Sequence, residues 1–192
     1  MTLETILSIF LGIGLAASVG FRVFVPLFAL SLSAYFNVLE LNTSWLWLGS
    51  LTAVITFGVA TLFEIFAYYI PFLDNLLDTI AIPLAAIAGT AIVVSTTIDL
   101  NPVVTWSLAI IAGGGSATAI ASTSSVTRLA STATSAGFAN PIVSTIETVM
   151  AVFMTIISLV LPVLALILVL VILALSFKIF RKFKTSKPQN QV

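Results

Sequence analysis

The sequence predicts an all-α protein, a polytopic bundle of transmembrane helices with about six crossings of about 20 apolar residues each. Of its 192 residues, 60% are hydrophobic and only 7% are charged, and the mean hydropathy is +1.23. Globular domains are about 25% charged, so this chain has too little polar surface to cover a soluble core. Long uncharged stretches also recur along the whole chain.

The uncharged stretches divide into eight predicted helical pieces. Two of them, 22–36 and 123–137, are short and are predicted to be half-helices or re-entrant segments, which need surrounding protein or a cavity. Each of these two pieces carries an arginine near its start. The full set is 5–20, 22–36, 46–70, 73–98, 102–121, 123–137, 141–160 and 162–183.

Prolines mark several of the predicted boundaries. Asn101-Pro102 and Asn140-Pro141 each predict a helix start, with Asn as the N-cap and Pro at the first helical position. Pro71 and Pro162 each follow a strongly apolar run and predict a kink or a tight connection.

Basic residues concentrate at the C-terminus, which predicts the orientation. Because positive charge favours the cytoplasmic side, residues 184–192 are predicted to be a basic, polar cytoplasmic tail behind a single transmembrane domain, 1–183. The predicted location is the bacterial inner (cell) membrane, and the tail is expected to contact anionic lipid rather than nucleic acid. Five of the seven basic residues lie in the last fifteen positions: Lys178, Arg181, Lys182, Lys184 and Lys187.

The order of features suggests an internal repeat of residues 1–100 and 101–183. Each half contains a glycine-rich stretch, an isolated arginine, a proline and a glutamate inside an apolar segment. The arginine and the glutamate are 42 residues apart in the first half and 19 apart in the second. Small transporters are often built from two such repeats with the site between them, and either a parallel or an inverted relation is compatible with the sequence.

Two arginines and two glutamates are the charges most unexpected in this sequence. Arg22 and Arg128 are isolated in uncharged sequence, and Glu64 and Glu147 lie well inside apolar segments. An arginine at bilayer depth costs about 2.5–3.5 kcal/mol or more, so we expect two intramembrane Arg–Glu pairs. These pairs would either hold helices together or form a proton- or ion-coupled pathway of exchangeable pairs.

A hydroxyl-rich stretch surrounds the second arginine. Gly115–Ser135 contains eleven Ser or Thr, and Ser124, Arg128 and Ser131 fall on one helical face. This face is interpreted as the polar wall of a cavity, with Arg128 presented to an anion or a carboxylate. Close helix packing is the competing interpretation, since small residues let transmembrane backbones approach. Asn140 is included in the candidate ligand or ion pathway.

Asp74 and Asp78 form a second candidate site. They are four residues apart, so they share a helical face and repel each other unless a cation or backbone amides relieve them. One interpretation is a cation site, and the other is stabilisation by the dipole of a helix that begins just before them.

Enzyme signatures are weak, and no cofactor is expected. The chain has no cysteine and no histidine, which excludes catalysis by thiolate or imidazole and metal sites built from them. The glycine-rich stretches lack the strand context and the lysine of nucleotide-binding loops. We therefore expect a protein that is not an enzyme.

Two runs of sequence resemble a known family. Arg128-Leu-Ala-Ser-Thr-Ala-Thr-Ser-Ala-Gly-Phe-Ala-Asn-Pro-Ile-Val-Ser-Thr-Ile-Glu147 and Gly14-Leu-Ala-Ala-Ser-Val-Gly-Phe-Arg-Val-Phe-Val-Pro-Leu27 are similar to bacterial membrane proteins of the domain of unknown function 4126 family. The resemblance covers most of residues 5–175 and implies a multi-pass fold without a settled activity. The family often has a histidine ahead of the second arginine, where this chain has Ile120-Ala-Ser122.

These observations favour a small-solute or ion transporter, or a channel-like protein, with a mid-membrane Arg/Glu site. The expected ligand is a small anionic or zwitterionic solute or a lipid headgroup, because arginines lie beside hydroxyl-rich and glycine-rich segments. The alternative is a non-transporting scaffold or accessory subunit in which the Arg–Glu pairs are structural. A homo-oligomer is compatible with either hypothesis.

Overall fold

The computed structural model describes residues 2–135 and 137–185, and these form helices with no strand among them. The predicted all-α class is thereby confirmed, whereas residues 186–192 of the predicted tail lie outside the described residues. A 3-10 helix, Thr43–Gly49, precedes α3, and a π-helical segment, Ala109–Gly114, joins α5 to α6. Within the described residues the α-helices are α1 Leu3–Val19, α2 Phe24–Tyr35, α3 Leu51–Ala67, α4 Pro71–Thr96, α5 Pro102–Leu108, α6 Gly115–Ser135, α7 Asn140–Val160 and α8 Pro162–Thr185.

Proline is the first residue of three of the described helices, and only at Pro102 does an Asn-Pro pair predict this position. Pro71, Pro102 and Pro162 are the first residues of α4, α5 and α8, where the missing N–H of proline has no intrahelical partner to lose. The side chain of Asn101 caps α5 by accepting a hydrogen bond of 2.9 Å from the backbone N–H of Val103. The two apolar runs before Pro71 and Pro162 therefore end in tight connections.

The predicted N-cap at Asn140 is wrong. Helix α7 begins at Asn140 itself, and the capping position is occupied by Ala139, which makes no side-chain cap. The amide of Asn140 instead donates hydrogen bonds of 3.1 Å to Asp74 Oδ2 and to Thr132 Oγ1. These side-chain partners on α4 and α6 take the place of the local cap.

The predicted division between 102–121 and 123–137 is also wrong. Residues 102–135 form one continuous helical run of 34 residues, because the hydroxyls that suggested a break bond to carbonyls of their own helix. Thr123 Oγ1 and Thr127 Oγ1, for example, each donate to the carbonyl four residues earlier at 2.9 Å. Such back-bonding satisfies the hydroxyl without ending the helix. The short piece predicted at 22–36 is a short helix, α2.

Several helices are long and apolar enough to cross a membrane. Three meet this criterion among the described residues, Leu76–Thr96, Pro102–Ser135 and Asn140–Val160, and the bent pair of the 3-10 helix and α3 gives a fourth span if it crosses as one unit. Shorter apolar helices of 10 to 17 residues are Leu3–Val19, Phe24–Tyr35 and Pro162–Lys178. The molecule is a helical membrane bundle, and the count of about six crossings stays a prediction.

Helix α1 lies at the centre of the bundle and packs against α4, α7 and α8. Leu15, Ala16 and Ala17 have no exposed surface. Its glycines face different neighbours: Gly12 faces α4, and Gly14 faces α7 and α8. In a membrane the hydrophobic effect does not drive helices together, so they associate through close packing, which small residues permit. The small residues of α1 therefore let several helices pack around it.

Two backbones approach each other closely where α4 meets the π-helical segment. A Cβ built on Gly113 would lie 2.6 Å from the carbonyl oxygen of Gly89 on α4, and a Cβ on Gly89 would lie 2.8 Å from the carbonyl oxygen of Gly113. Neither position has room for a methyl group. This contact fixes the lateral position of the long helical run that carries Arg128.

We predict that Gly113→Ala lowers the free energy of unfolding by about 1–3 kcal/mol, because the new methyl group displaces backbone atoms. The matched control is Gly115→Ala, whose Cβ would meet nothing closer than 4.0 Å, and which should stabilise the helix by up to about 1 kcal/mol. Thermal unfolding of both variants in the same detergent measures the difference. Equal midpoints would contradict the proposed backbone contact.

Candidate functional site

The ionisable side chains singled out in the sequence meet at one end of the bundle. They come from the α1–α2 connection, the last turn of α3, the first turns of α4, the second half of α6 and the first half of α7. Arg128 is seven residues before the end of α6 and Glu147 is seven residues after the start of α7, so the site lies about 10 Å inside the helix ends. We call the following residues the charge cluster: Arg22, Glu64, Asp74, Asp78, Arg128 and Glu147.

Arg128 joins three helices. Its Nη1 donates to Asp74 Oδ1 at 2.5 Å, and its Nε donates to Glu147 Oε1 at 3.2 Å while its Nη2 donates to Glu147 Oε2. The Oδ1 atom of Asp78 lies 3.7 Å from Nε. A two-point contact between guanidinium and carboxylate is the strongest ion-pair geometry available to these groups. The cation that relieves the Asp74–Asp78 repulsion is therefore the guanidinium of Arg128.

Arg22 is held by the first half of α7. Its Nε donates to Thr148 Oγ1 at 3.0 Å, and its Nη2 donates to the carbonyl and hydroxyl oxygens of Ser144 at 2.9 and 2.5 Å. Its Nη1 lies 3.7 Å from Glu147 Oε2 and has no hydrogen-bond partner within residues 2–135 and 137–185. Ser144 and Thr148 did not emerge from the sequence, although spacings of three and four residues place Ser144, Glu147 and Thr148 on one helical face.

Glu64 does not form the expected pair with an arginine. Its Oε1 accepts a hydrogen bond of 2.8 Å from the backbone N–H of Val23, and its Oε2 accepts one of 3.0 Å from that of Phe24. These N–H groups belong to the start of α2, which has no side-chain cap of its own. A carboxylate at a helix N-terminus is favoured by the free N–H groups and the helix dipole. Both arginines consequently lie against Glu147 instead of forming two separate pairs.

Tyr68 connects the two arginines. The Cζ atoms of Arg22 and Arg128 lie 3.9 and 4.0 Å from the centre of its ring, well inside the range of cation–π attraction. Sequence reasoning missed this residue. Tyr68 follows Glu64 by four residues at the end of α3, and this one-turn spacing is the only signal that could have placed it beside the cluster.

A small cavity of about 20 Å³ lies among these groups. Its lining includes three carboxylate residues, Glu64, Asp78 and Glu147, and the hydroxyl residues Ser124 and Ser125. This volume holds one water molecule or a group of similar size. The predicted polar face of α6 is thus partly realised at Ser124.

Ser131 and Asn140 lie outside this cavity. The Ser131 hydroxyl is buried with no hydrogen-bond partner in the described part of the chain, and Asn140 reaches the cluster only through Asp74. Through Thr132, which is exposed, Asn140 links Asp74 to the surface at this end of the bundle. The two residues therefore border the site without lining it.

Burial makes the charge balance of the cluster significant. Two guanidinium groups face four carboxyl groups, so the formal charge is 2 − 4 = −2 when all six are ionised. The side chains of Arg128, Asp74 and Glu147 are only 3%, 3% and 7% exposed, whereas that of Asp78 is 25% exposed. Uncompensated charge in a low-dielectric interior is strongly unfavourable. The arrangement therefore favours the uptake of positive charge.

The cluster lies at the end of the bundle where α8 finishes. Ser176 of α8 lines an apolar groove together with Phe21, Ile120 and Glu147. Lys178 follows Ser176 by two residues. The cluster and the start of the basic C-terminal segment therefore lie at the same end of the bundle.

The comparisons with known proteins identify a family and no individual relative. A family model described as "Domain of unknown function (DUF4126)" matches residues 9–182. No curated protein and no solved structure matches the chain.

We predict that Tyr68→Leu lowers the free energy of unfolding by about 2 kcal/mol, since it removes two largely desolvated cation–π contacts. Tyr68→Phe keeps the ring and should cost much less. Tyr35, which is 41% exposed, supplies the control Tyr35→Leu. Chemical unfolding in detergent measures all three variants, and equal losses for Tyr68→Leu and Tyr68→Phe would exclude the cation–π contribution.

Proposed function

We propose that this chain, which belongs to the family described as domain of unknown function (DUF4126), is a small membrane transporter whose coupling site is the charge cluster. The observation that carries the proposal is the imbalance of two guanidinium groups against four carboxyl groups around a cavity of about 20 Å³. Ionisable residues inside membrane bundles commonly mark ion or substrate pathways.

A purely structural role does not require this composition. One carboxylate per guanidinium completes a structural ion pair, and every further buried carboxylate adds a desolvation penalty of several kcal/mol. Asp78 is the clearest surplus group, because Arg128 is already bonded to Asp74 and Glu147. A surplus acid is useful where positive charge is bound and released.

The accessibility of the cluster supports alternating access. Asp78 is partly exposed near the α4 start, whereas the opposite direction along α1 is filled by the buried side chains of Leu11, Leu15 and Val19. This asymmetry is the one expected for a transporter whose site faces one side of the membrane behind a closed entrance. In the alternate state the apolar barrier would open and the charged end would close.

Among the ligands expected from the sequence, a zwitterion is favoured over an anion. An anionic ligand would add negative charge to a cluster whose formal charge is already −2. A zwitterion also carries an anionic group, which can accept a hydrogen bond from Nη1 of Arg22, an atom with no such partner among the described residues. Its cationic group would face the surplus carboxyl groups. Since the cavity admits only a water-sized group, such a solute requires the cluster to open.

The competing function is a scaffold or accessory subunit. It is favoured by the small size of the cavity and by the completeness of the Arg128 contacts with Asp74 and Glu147. In that case the cluster would stay closed and its residues would be reachable from at most one side of the membrane. The two functions therefore differ in a measurable property.

Cysteine labelling distinguishes them, because the chain has no native cysteine. We expect Ser124→Cys, at the cavity, to react with a membrane-impermeant maleimide applied either to spheroplasts or to inverted vesicles. Two exposed control positions, Phe138→Cys at the cluster end and Val38→Cys in the α2–α3 connection, are 88% and 80% exposed. Each control should react from one side only, and from opposite sides. Labelling of Ser124→Cys from one side or neither would reject transport by alternating access.

A further inference from the structure

We infer that the ion bound by the charge cluster is a proton, which enters at Asp78 from the end of the bundle that carries the α6–α7 turn. This inference rests on the proposed transport function and names the ion that is coupled to it. It combines the surplus of carboxyl groups with a second, independent feature of the site, an unpaired buried donor.

The unpaired donor is Nη1 of Arg22. The residue is only 1% exposed, and within the described ranges this nitrogen has no hydrogen-bond partner. It lies 3.7 Å from Glu147 Oε2, and Glu147 lines the cavity. A buried N–H of a charged group is strongly unfavourable unless something accepts its hydrogen bond. A water in the cavity can donate to Glu147, the carboxylate that lies beside Nη1 of Arg22, and such a water can also pass a proton.

A metal cation fits the same site poorly. Hard cations need about six oxygen ligands, and within the described residues no group of three or more acidic side chains has the geometry to hold a metal ion. Any cation in the cavity would also lie close to the guanidinium of Arg128, which lines it, and close positive charges repel. A proton needs only one carboxyl oxygen.

Asp78 is the carboxyl group best placed to exchange this proton. Its side chain is 25% exposed, and its contact with Arg128 Nε, at 3.7 Å, is longer than a hydrogen bond. By contrast, Glu64 accepts two backbone N–H groups, and Asp74 and Glu147 each accept from Arg128. Those three carboxylates would lose hydrogen bonds on protonation, whereas Asp78 loses only a weak ion pair.

The charged and titratable groups near Asp78 come from every side of the cluster. They are Asp74 on its own helix, Glu64 of α3, Tyr68 after α3, Arg22 before α2, Arg128 of α6 and Glu147 of α7. Protonation of Asp78 changes the formal charge of this group from −2 to −1. It also removes the attraction between Asp78 and Arg128, one of the contacts between α4 and α6 at this end.

The structural consequence is a cavity that opens when Asp78 is protonated. Ser124 and Ser125 of α6 line the same cavity as Asp78 and Ala81 of α4. A weaker α4–α6 contact at the cluster end exposes these serines to water. The tight backbone contact of Gly89 with Gly113 lies about three helical turns away along α4 and the 102–135 run. This contact holds the two helical runs together while the cluster end opens.

The test measures how fast a maleimide reacts with Ser124→Cys in purified protein, over a range from acidic to alkaline pH. At each pH this rate is divided by the rate for Phe138→Cys, which gives a reactivity ratio. We expect the ratio to rise about fivefold towards acidic pH, in line with the loss of one partly exposed ion pair. In Ser124→Cys carrying Asp78→Asn, the ratio should be high at every pH. Asp78→Glu should retain the pH dependence and serves as the control that the protein folds with an acid at this position.

Three other results of this experiment would overturn the inference or part of it. A ratio that responds to replacing sodium with choline at constant ionic strength, and not to pH, would overturn the proton and identify a metal cation. A pH response that persists in Asp78→Asn would overturn the assignment to Asp78. A ratio independent of both pH and sodium, with Ser124→Cys still labelled from both sides of the membrane, would reject this inference and leave the transport proposal intact.

Discussion

The ion pairs of Arg128 are the interaction on which the rest of the site depends. One guanidinium bonds Asp74 at the start of α4 and Glu147 in α7, so three helices are joined at a depth where water competes little. Glu147 in turn lies beside Arg22, and Tyr68 lies against both guanidinium groups. Breaking a buried pair of this kind typically costs about 3–5 kcal/mol, so this end of the bundle depends on Arg128.

Uncharged contacts between the helices determine where the ion pairs of Arg128 can form. The Gly89–Gly113 contact brings α4 and the 102–135 run together at the level of their backbones, and the small residues of α1 let the other helices surround it. Glu64 then fixes α2 through two backbone N–H groups. The apolar and glycine-mediated contacts therefore set the helix positions, and the charged contacts hold one end of that arrangement.

Scarcity of charge was enough to single out the residues that the structure brings together, because isolated charges in apolar sequence are costly. Their partners were harder to predict. Glu64 bonds backbone N–H groups, which every residue except proline offers, so no pattern distinguishes Val23 and Phe24. Tyr68 carries no charge and therefore gave no comparable signal. The unbroken 102–135 helix was not predicted because Ser and Thr are common in loops. In this helix their hydroxyls instead donate hydrogen bonds to carbonyls one turn earlier.

Arg128 acts as a shared partner of α4, α6 and α7 rather than as an independent charge. A double-mutant cycle with Arg128→Gln and Asp74→Asn measures this coupling through the free energy of unfolding in detergent. We expect the double variant to lose much less stability than the sum of the two single variants, with a coupling energy above about 1 kcal/mol. Losses that add within about 0.5 kcal/mol would contradict it.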